Sequence, residues 1–335
     1  MRPNGLFCDG AVLAEGKPIR VFGDGDGEIT VRLCGVASTV TARGGKWCAT
    51  LPTMSAGGPH TLEISDGNVV THIKDVYIGK VYLIAGQSNA AFQLRSSDEP
   101  EAGYLDDALL RNYFVKHPWS DVDPYDPGDG WVRAEKEKVG VWSAIAYLAG
   151  REARGMTGKA VGVITCAQDA SVIESWLPGD GAAFENEKLH PDHFDPGYSA
   201  WNRRGVIYEK MLSTLFPFSL NGVIWYQGES DTTVQEGEIY DAKLLCFIES
   251  VREGFEDETL PFALIQIADY DGRLRDDPEG WRAIQDAQRR AASADARSTL
   301  IISKDVCEGG FIHPPQKTEI SKRAAEALIR AEAMK

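Results

Sequence analysis

From Lys80 onward, short and near-continuously apolar runs alternate with longer amphipathic ones, and this alternation limits the possible folds most sharply. The strand-like runs are 81–85, 159–165, 220–226, 261–267 and 298–303. Helical periodicity separates them at 141–153, where Trp142, Ile145, Ala146 and Ala149 share a face, and at 240–253 and 281–292. Strands that are apolar on both sides and joined by helices belong in a parallel sheet covered on both faces. A last helix begins after Pro314-Pro315, as helix starts allow, with Ile320, Ala324, Leu328 and Ile329 as its apolar stripe.

Residues 1–78 follow a different period. Runs at 18–22, 28–33, 47–51 and 60–64 alternate apolar with polar, and Gly23–Gly27, Arg43-Gly-Gly45 and Ser65-Asp-Gly67 punctuate them as hairpin turns. Short strands at this spacing predict a small, sandwich-like all-β region. The expected division is an N-terminal β domain over 1–78 and an α/β domain over 79–335. Two stretches rich in Pro, Gly and Asp, 98–130 and 177–204, read as long loops.

Composition narrows the functional classes. The net charge of −15, from 35 Lys+Arg against 50 Asp+Glu, excludes a basic nucleic-acid footprint and a polybasic grip on anionic lipid. No apolar run is long enough to span a bilayer, and MRPNGLFCDG lacks a signal-peptide core, so a cytoplasmic protein is expected. The six cysteines show no C-x-x-C pair.

Three polar segments follow predicted strands, where open α/β sheets bind ligands. In Ile84-Ala-Gly-Gln-Ser-Asn89, Ser88 at a strand-to-helix turn presents a hydroxyl and a backbone N–H together, the parts of a nucleophile and an oxyanion donor. Helix capping is the plainer role for the same serine. In Trp225-Tyr-Gln-Gly-Glu-Ser-Asp231, Gln227 offers amide hydrogens, Glu229 an acid, and Asp231 a helix cap. In the segment from Asp305 through Glu308 to His313, an imidazole before a helix is placed for general-base work, with a carboxylate to hold its tautomer. Elsewhere, His190-Pro-Asp-His193 with Asp195 reads as solvated loop. The series Asp121, Asp123, Asp126 and Asp129 fails as a calcium loop because Tyr125 takes a ligand place. No metal site is expected.

The blocks GQSN, WYQGESD and IHPPQK, in this order, resemble the sialate O-acetylesterase branch of the SGNH hydrolases. The likeness extends to Leu6-Phe7, Lys17-Pro-Ile-Arg20, Gly45-Lys-Trp47, Ala56-Gly-Gly-Pro59, Lys74-Asp-Val-Tyr-Ile-Gly79, Ile173-Glu-Ser-Trp176 and 281–290. The resemblance implies an SGNH-type three-layer α/β/α fold and a cofactor-free serine esterase acting on acetylated carbohydrate, from sialic acid or plant oligosaccharide. It implies Ser88 as nucleophile, His313 as base and Asp305, or else Glu308, as the third member. Ala170, Gln227, Asn89 and Glu229 would form the oxyanion and substrate-binding set. Trp176, Trp225, Tyr198 and Trp201 are the aromatic candidates for a sugar ring, and Ala90 opens a pocket where the family has Met. This chain departs from the pattern at Asp169-Ala170, where Gly-Gly is usual, and at Gly310 and Phe311, where acids are usual. A catalytically weak, acyl-glycan-binding protein of the same fold therefore stands as the alternative.

Overall fold

The computed structural model describes residues 1–119, 126, 128–179, 197, 198, 200–270 and 278–334. The N-terminal region folds into β1 (Arg2–Pro3), β2 (Val12–Ala14), β3 (Ile19–Asp24), β4 (Glu28–Leu33), β5 (Val36–Thr41), β6 (Lys46–Leu51) and β7 (Gly57–Ser65). Alternation decides which side faces the core. Ile29, Val31 and Leu33 of β4 are buried while Glu28 and Arg32 are exposed, and Trp47, Ala49 and Leu51 of β6 repeat the pattern. β1, β3 and β6 make a small antiparallel sheet, and β4, β5 and β7 pair antiparallel beside it. Because β3 and β4 lie in different sheets, Gly23–Gly27 is a corner between them and not a hairpin. Gly44 and Gly45, at φ +60° and +77°, do close a two-residue hairpin over the Arg43–Lys46 bridge.

β8 (Val70–Gly86) belongs to both regions. Its first half pairs antiparallel with β7 and parallel with β2, and its second half pairs parallel with two central strands. Burial changes along it accordingly: exposed and buried residues mix up to Tyr77, and every residue from Ile78 to Gly86 is buried. The boundary expected at 78 falls inside this strand.

The remaining elements are α1 (Ser88–Ala91), β9 (Asp107–Phe114), β10 (Trp131–Ala134), α2 (Ala144–Thr157), β11 (Val161–Ala167), α3 (Val206–Lys210), β12 (Gly222–Tyr226), α4 (Val234–Gly237), α5 (Tyr240–Gly254), β13 (Phe262–Ile265), α6 (Pro278–Ala294), β14 (Ser298–Ile301) and α7 (Thr318–Ala333). The central strands run in the order β10-β9-β11-β8-β12-β13-β14. All are parallel except β10, so the sheet is mixed around a parallel centre. Helices α2 and α7 pack on each other, as do α5 and α6. α2 is bounded by local chemistry: the Ser143 hydroxyl accepts the Ala146 N–H at its start, and Gly158 takes a left-handed φ of +69° at its end.

β9 lies within a stretch read as loop. Its Arg111 is buried and donates to the backbone carbonyls of Gly10 (2.6 Å) and Asp75 (2.7 Å), so a polar residue occupies a core position. All six cysteines are unpaired. Among the described residues no helix is long and apolar enough to cross a membrane.

Candidate active site

Register brings the polar segments together. Gly86, the last residue of β8, stands opposite Ala167 of β11 and Tyr226 of β12. The turns beginning at Gln87, Gln168 and Gln227 therefore leave adjacent strand ends on one edge of the sheet. Only glycine fits at 86. Its φ is +138°, and a Cβ there would stand 2.0 Å from the Tyr226 carbonyl oxygen. Gln87 then links two turns: its N–H donates to Tyr226 O (3.0 Å), and its side-chain oxygen accepts the N–H groups of Gly228 and Ser230, both at 3.2 Å.

Ser88 opens α1, so its backbone N–H has no acceptor within the helix. Its Oγ lies 2.7 Å from His313 Nε2, although 225 residues separate the two in sequence. The surrounding protein holds the His313 pKa below the ordinary 6.5 by limiting hydration of the cation. The Lys317 ammonium adds to this, and Asp169 opposes it. Phe92 lies against the imidazole with ring centres 6.3 Å apart.

The loop bearing His313 is tied down from two sides. Asp98 accepts the N–H groups of Lys317 (2.9 Å) and Thr318 (3.2 Å), capping α7 from a distant segment, and its own N–H donates to Pro315 O. Asn89 donates from Nδ2 to Ile312 O (2.9 Å) and Glu229 Oε1 (2.6 Å), and its Oδ1 accepts the Lys317 ammonium at 2.7 Å.

Several expected roles are not met. Asp305 is bound through both carboxylate oxygens to the Arg323 guanidinium, at 2.9 and 2.8 Å, and Glu308 stays at the surface, its N–H on Gln316. Among the described residues no carboxylate reaches ion-pair distance of His313, whose Nε2 meets Ser88 Oγ. The Gln227 amide is turned to the protein and not to Ser88: its Nε2 donates to Ser171 O (3.0 Å) and to Asp231, and its Oε1 accepts the Tyr240 hydroxyl. The two amide hydrogens of Asn89 are also spent, on Ile312 and Glu229. Glu229 is buried, and its carboxyl is pushed up to about 7 by loss of hydration, against the opposing pull of Asn89 and Lys317. Asp231 accepts the Ile173 N–H and does not cap a helix. Ala170, at φ +49°, adopts the left-handed backbone that glycine takes without strain, and Asn202 holds its carbonyl at 2.7 Å. Ala90 is fully buried and opens no pocket.

Behind this layer, Glu174, Asp231 and Glu236 could together hold a metal ion by ligand type. The buried Lys243 ammonium already bonds Glu174 and lies 2.7 Å from Glu236, so the positive charge at this cluster comes from the chain itself. Residues 190–195 and Asp121, Asp123 and Tyr125 lie outside the described residues. Trp176 and Trp225 pack edge to face, 5.3 Å apart, in the core. Tyr198 and Trp201 are half-buried. Trp201 meets Trp119 at 5.7 Å, and the Trp119 indole N–H donates to Gln168 beside Asp169.

Comparison with known proteins fits this arrangement. The profile described as carbohydrate esterase, sialic acid-specific acetylesterase matches residues 78–330. The chain belongs to that family. Human sialate O-acetylesterase is 24% identical over 329 residues, covering 88% of this chain and 62% of its own length. The mouse sialate O-acetylesterase is 22% identical over 371 residues, covering 92% of this chain and 68% of its own. This chain thus spans about three fifths of the human relative. Among solved structures, a carbohydrate acetylesterase from Xanthomonas citri superposes with a TM-score of 0.85 at 28% identity, over 100% of this chain and 76% of that one.

In this acetylesterase-family chain, two buried side chains of the site escaped the sequence reading. Gln87 gives no signal, since its partners are backbone groups 141 and 143 residues away. Lys317 does give one. A lysine immediately before a helix lies at the positive end of the macrodipole, where a cation is disfavoured unless something specific holds it.

Proposed function

We propose that this chain is a serine esterase that removes O-acetyl groups from carbohydrate through an acetyl-enzyme, with Ser88 as nucleophile and His313 as base. The observation that carries the reading is the 2.7 Å contact between Ser88 Oγ and His313 Nε2. Family membership supports O-acetyl ester hydrolysis. As Oγ attacks the acetyl carbon, its proton passes to Nε2, which a neutral imidazole can accept. The sugar oxygen leaves with that proton. A water activated by the same nitrogen then releases acetate and restores Ser88. The Ser88 N–H and the N–H of Ala170 are the donors proposed for the oxyanion, each of a kind worth roughly 10²–10³ in rate. The half-buried aromatics beside Gln168 are proposed as the wall against which the sugar lies.

The test is acetate release from p-nitrophenyl acetate and from acetylated sugars by wild type and by Ser88→Ala. Turnover present in the first and lost in the second is expected; equal rates would end the proposal. Asp169, Gly310 and Phe311, three departures from the family pattern close to Ser88 and His313, favour a second reading, an acyl-glycan-binding protein of weak or no turnover. Calorimetry with an acetylated sugar that shows binding while no acetate appears over hours would select it.

A further inference from the structure

We propose that Lys317 is a positioning residue for hydrolysis: through Asn89 its ammonium fixes the loop that presents His313. The inference rests on the esterase reading above.

Lys317 is fully buried, with its Nζ 2.7 Å from Asn89 Oδ1. The rings of Phe92 and Tyr226 flank it at 4.9 and 5.2 Å. An ammonium has three donors and no acceptor, so it dictates how the Asn89 amide is turned. Oδ1 must face Lys317, and Nδ2 is left facing Ile312 O and Glu229. Ile312 precedes His313, so one fixed amide joins the nucleophile helix α1, the turn after β12 and the histidine loop. This does part of the orienting work usually given to a triad carboxylate, which His313 lacks among the described residues.

The charged neighbours are few. Lys317 and Asp169 act on His313 with opposite signs. Cys307, Glu229 and Asp98 act on Lys317, and burial brings its pKa down to about 8 against their pull. Below pH 6.5 Lys317 is therefore charged while Glu229, at about 7, is mostly neutral. The cation then opposes protonation of His313, with Asp169 acting the other way. Activity should extend to lower pH than an ordinary histidine allows.

Three variants separate position from charge. Lys317→Met removes both the donor and the charge. It should lower kcat by about ten- to a hundredfold with KM little changed, and move the acid limb of kcat/KM to higher pH. Lys317→Gln can still donate to Asn89 and should recover much of kcat, while its acid limb rises as in Lys317→Met. Glu229→Gln should leave the acid limb in place. An unmoved acid limb in both Lys317 variants, or a kcat equal to wild type in Lys317→Met, overturns the proposal. NMR titration of the wild-type histidine rings, with His313 assigned through His313→Gln, requires neither a Lys317 variant nor turnover. A midpoint below 6.5 is expected, and one at or above 6.5 overturns the charge role. Failure of the esterase reading is recognised separately, by equal acetate release from wild type and Ser88→Ala.

Discussion

Replacing Lys243 by methionine is the most direct probe of the layer that supports the loop after β11, which bears Ala170. Lys243 has no exposed side-chain surface, and it bonds Glu174 and Glu236, which are 3% and 2% exposed. Asp231 lies within the same cluster, accepts the Ile173 N–H and binds Gln227, which in turn holds Ser171 O. Methionine keeps most of the volume and removes the cation. Removing one partner of a buried ion pair costs about 3–5 kcal/mol, and for a chain of this length that lowers Tm by about 5 °C. The sign of the pH dependence follows from the carboxyls. Asp231 already has its pKa held well above the ordinary value by burial and by the charges of Glu174 and Glu236. Lys243 pulls the other way, so without it the Asp231 carboxyl moves further up. An acid whose folded pKa exceeds its unfolded value contributes most below the unfolded value, about 4, and loses that contribution as pH rises through the folded one. The Tm deficit of Lys243→Met should therefore be largest near pH 7.5 and shrink toward pH 5. Thermal unfolding followed by circular dichroism at both pH values measures it. A variant as stable as wild type at pH 7.5, or a deficit that widens on acidification, would refute this account of the cluster.

Asp305→Asn should leave kcat within about twofold of wild type and cost no more than about 1 kcal/mol, since it breaks a partly exposed pair with Arg323; a kcat loss above tenfold would restore Asp305 to the triad. Gly86→Ala should lower both Tm and acetate release, because its Cβ would meet the Tyr226 carbonyl at 2.0 Å and force β8 from β12 beside Ser88; full activity would show that the strand ends tolerate separation. Trp201→Ala should raise KM for an acetylated oligosaccharide by about tenfold while leaving p-nitrophenyl acetate nearly unaffected, and an equal effect on both substrates would remove the aromatic wall from sugar binding.

How much of this was legible in the sequence depended on where each residue's partners lie. Strand β11 was legible because seven consecutive buried residues need only a sheet covered on both faces. β9 was not, because Arg111 is made tolerable in the core by carbonyls 101 and 36 residues away. Ser88 and His313 were legible as types placed beside helix starts, and the structure sets them within hydrogen-bond distance. Asn89, Gln227 and Glu229 were legible as polar residues after strands, yet read as substrate ligands. Asn89 bonds Glu229 and Ile312 O, and Gln227 bonds Ser171 O, Asp231 and Tyr240, and no local pattern encodes a side-chain partner that the fold alone supplies. Asp305 invited its triad role by lying between the last strand and His313; Arg323, one turn into α7, claims it instead.

The 17-residue strand β8 also bears on how the molecule can be cut or rearranged. Severing the backbone at 78 would break one continuous ribbon whose front half is zipped to the small β region and whose rear half ends two residues short of Ser88. The N-terminal region is thus no detachable appendage. It anchors the far end of the rod that leads to Ser88, and a disturbance that frees Val70–Gly79 from β7 and β2 would be transmitted along the same backbone to the turn that holds that serine.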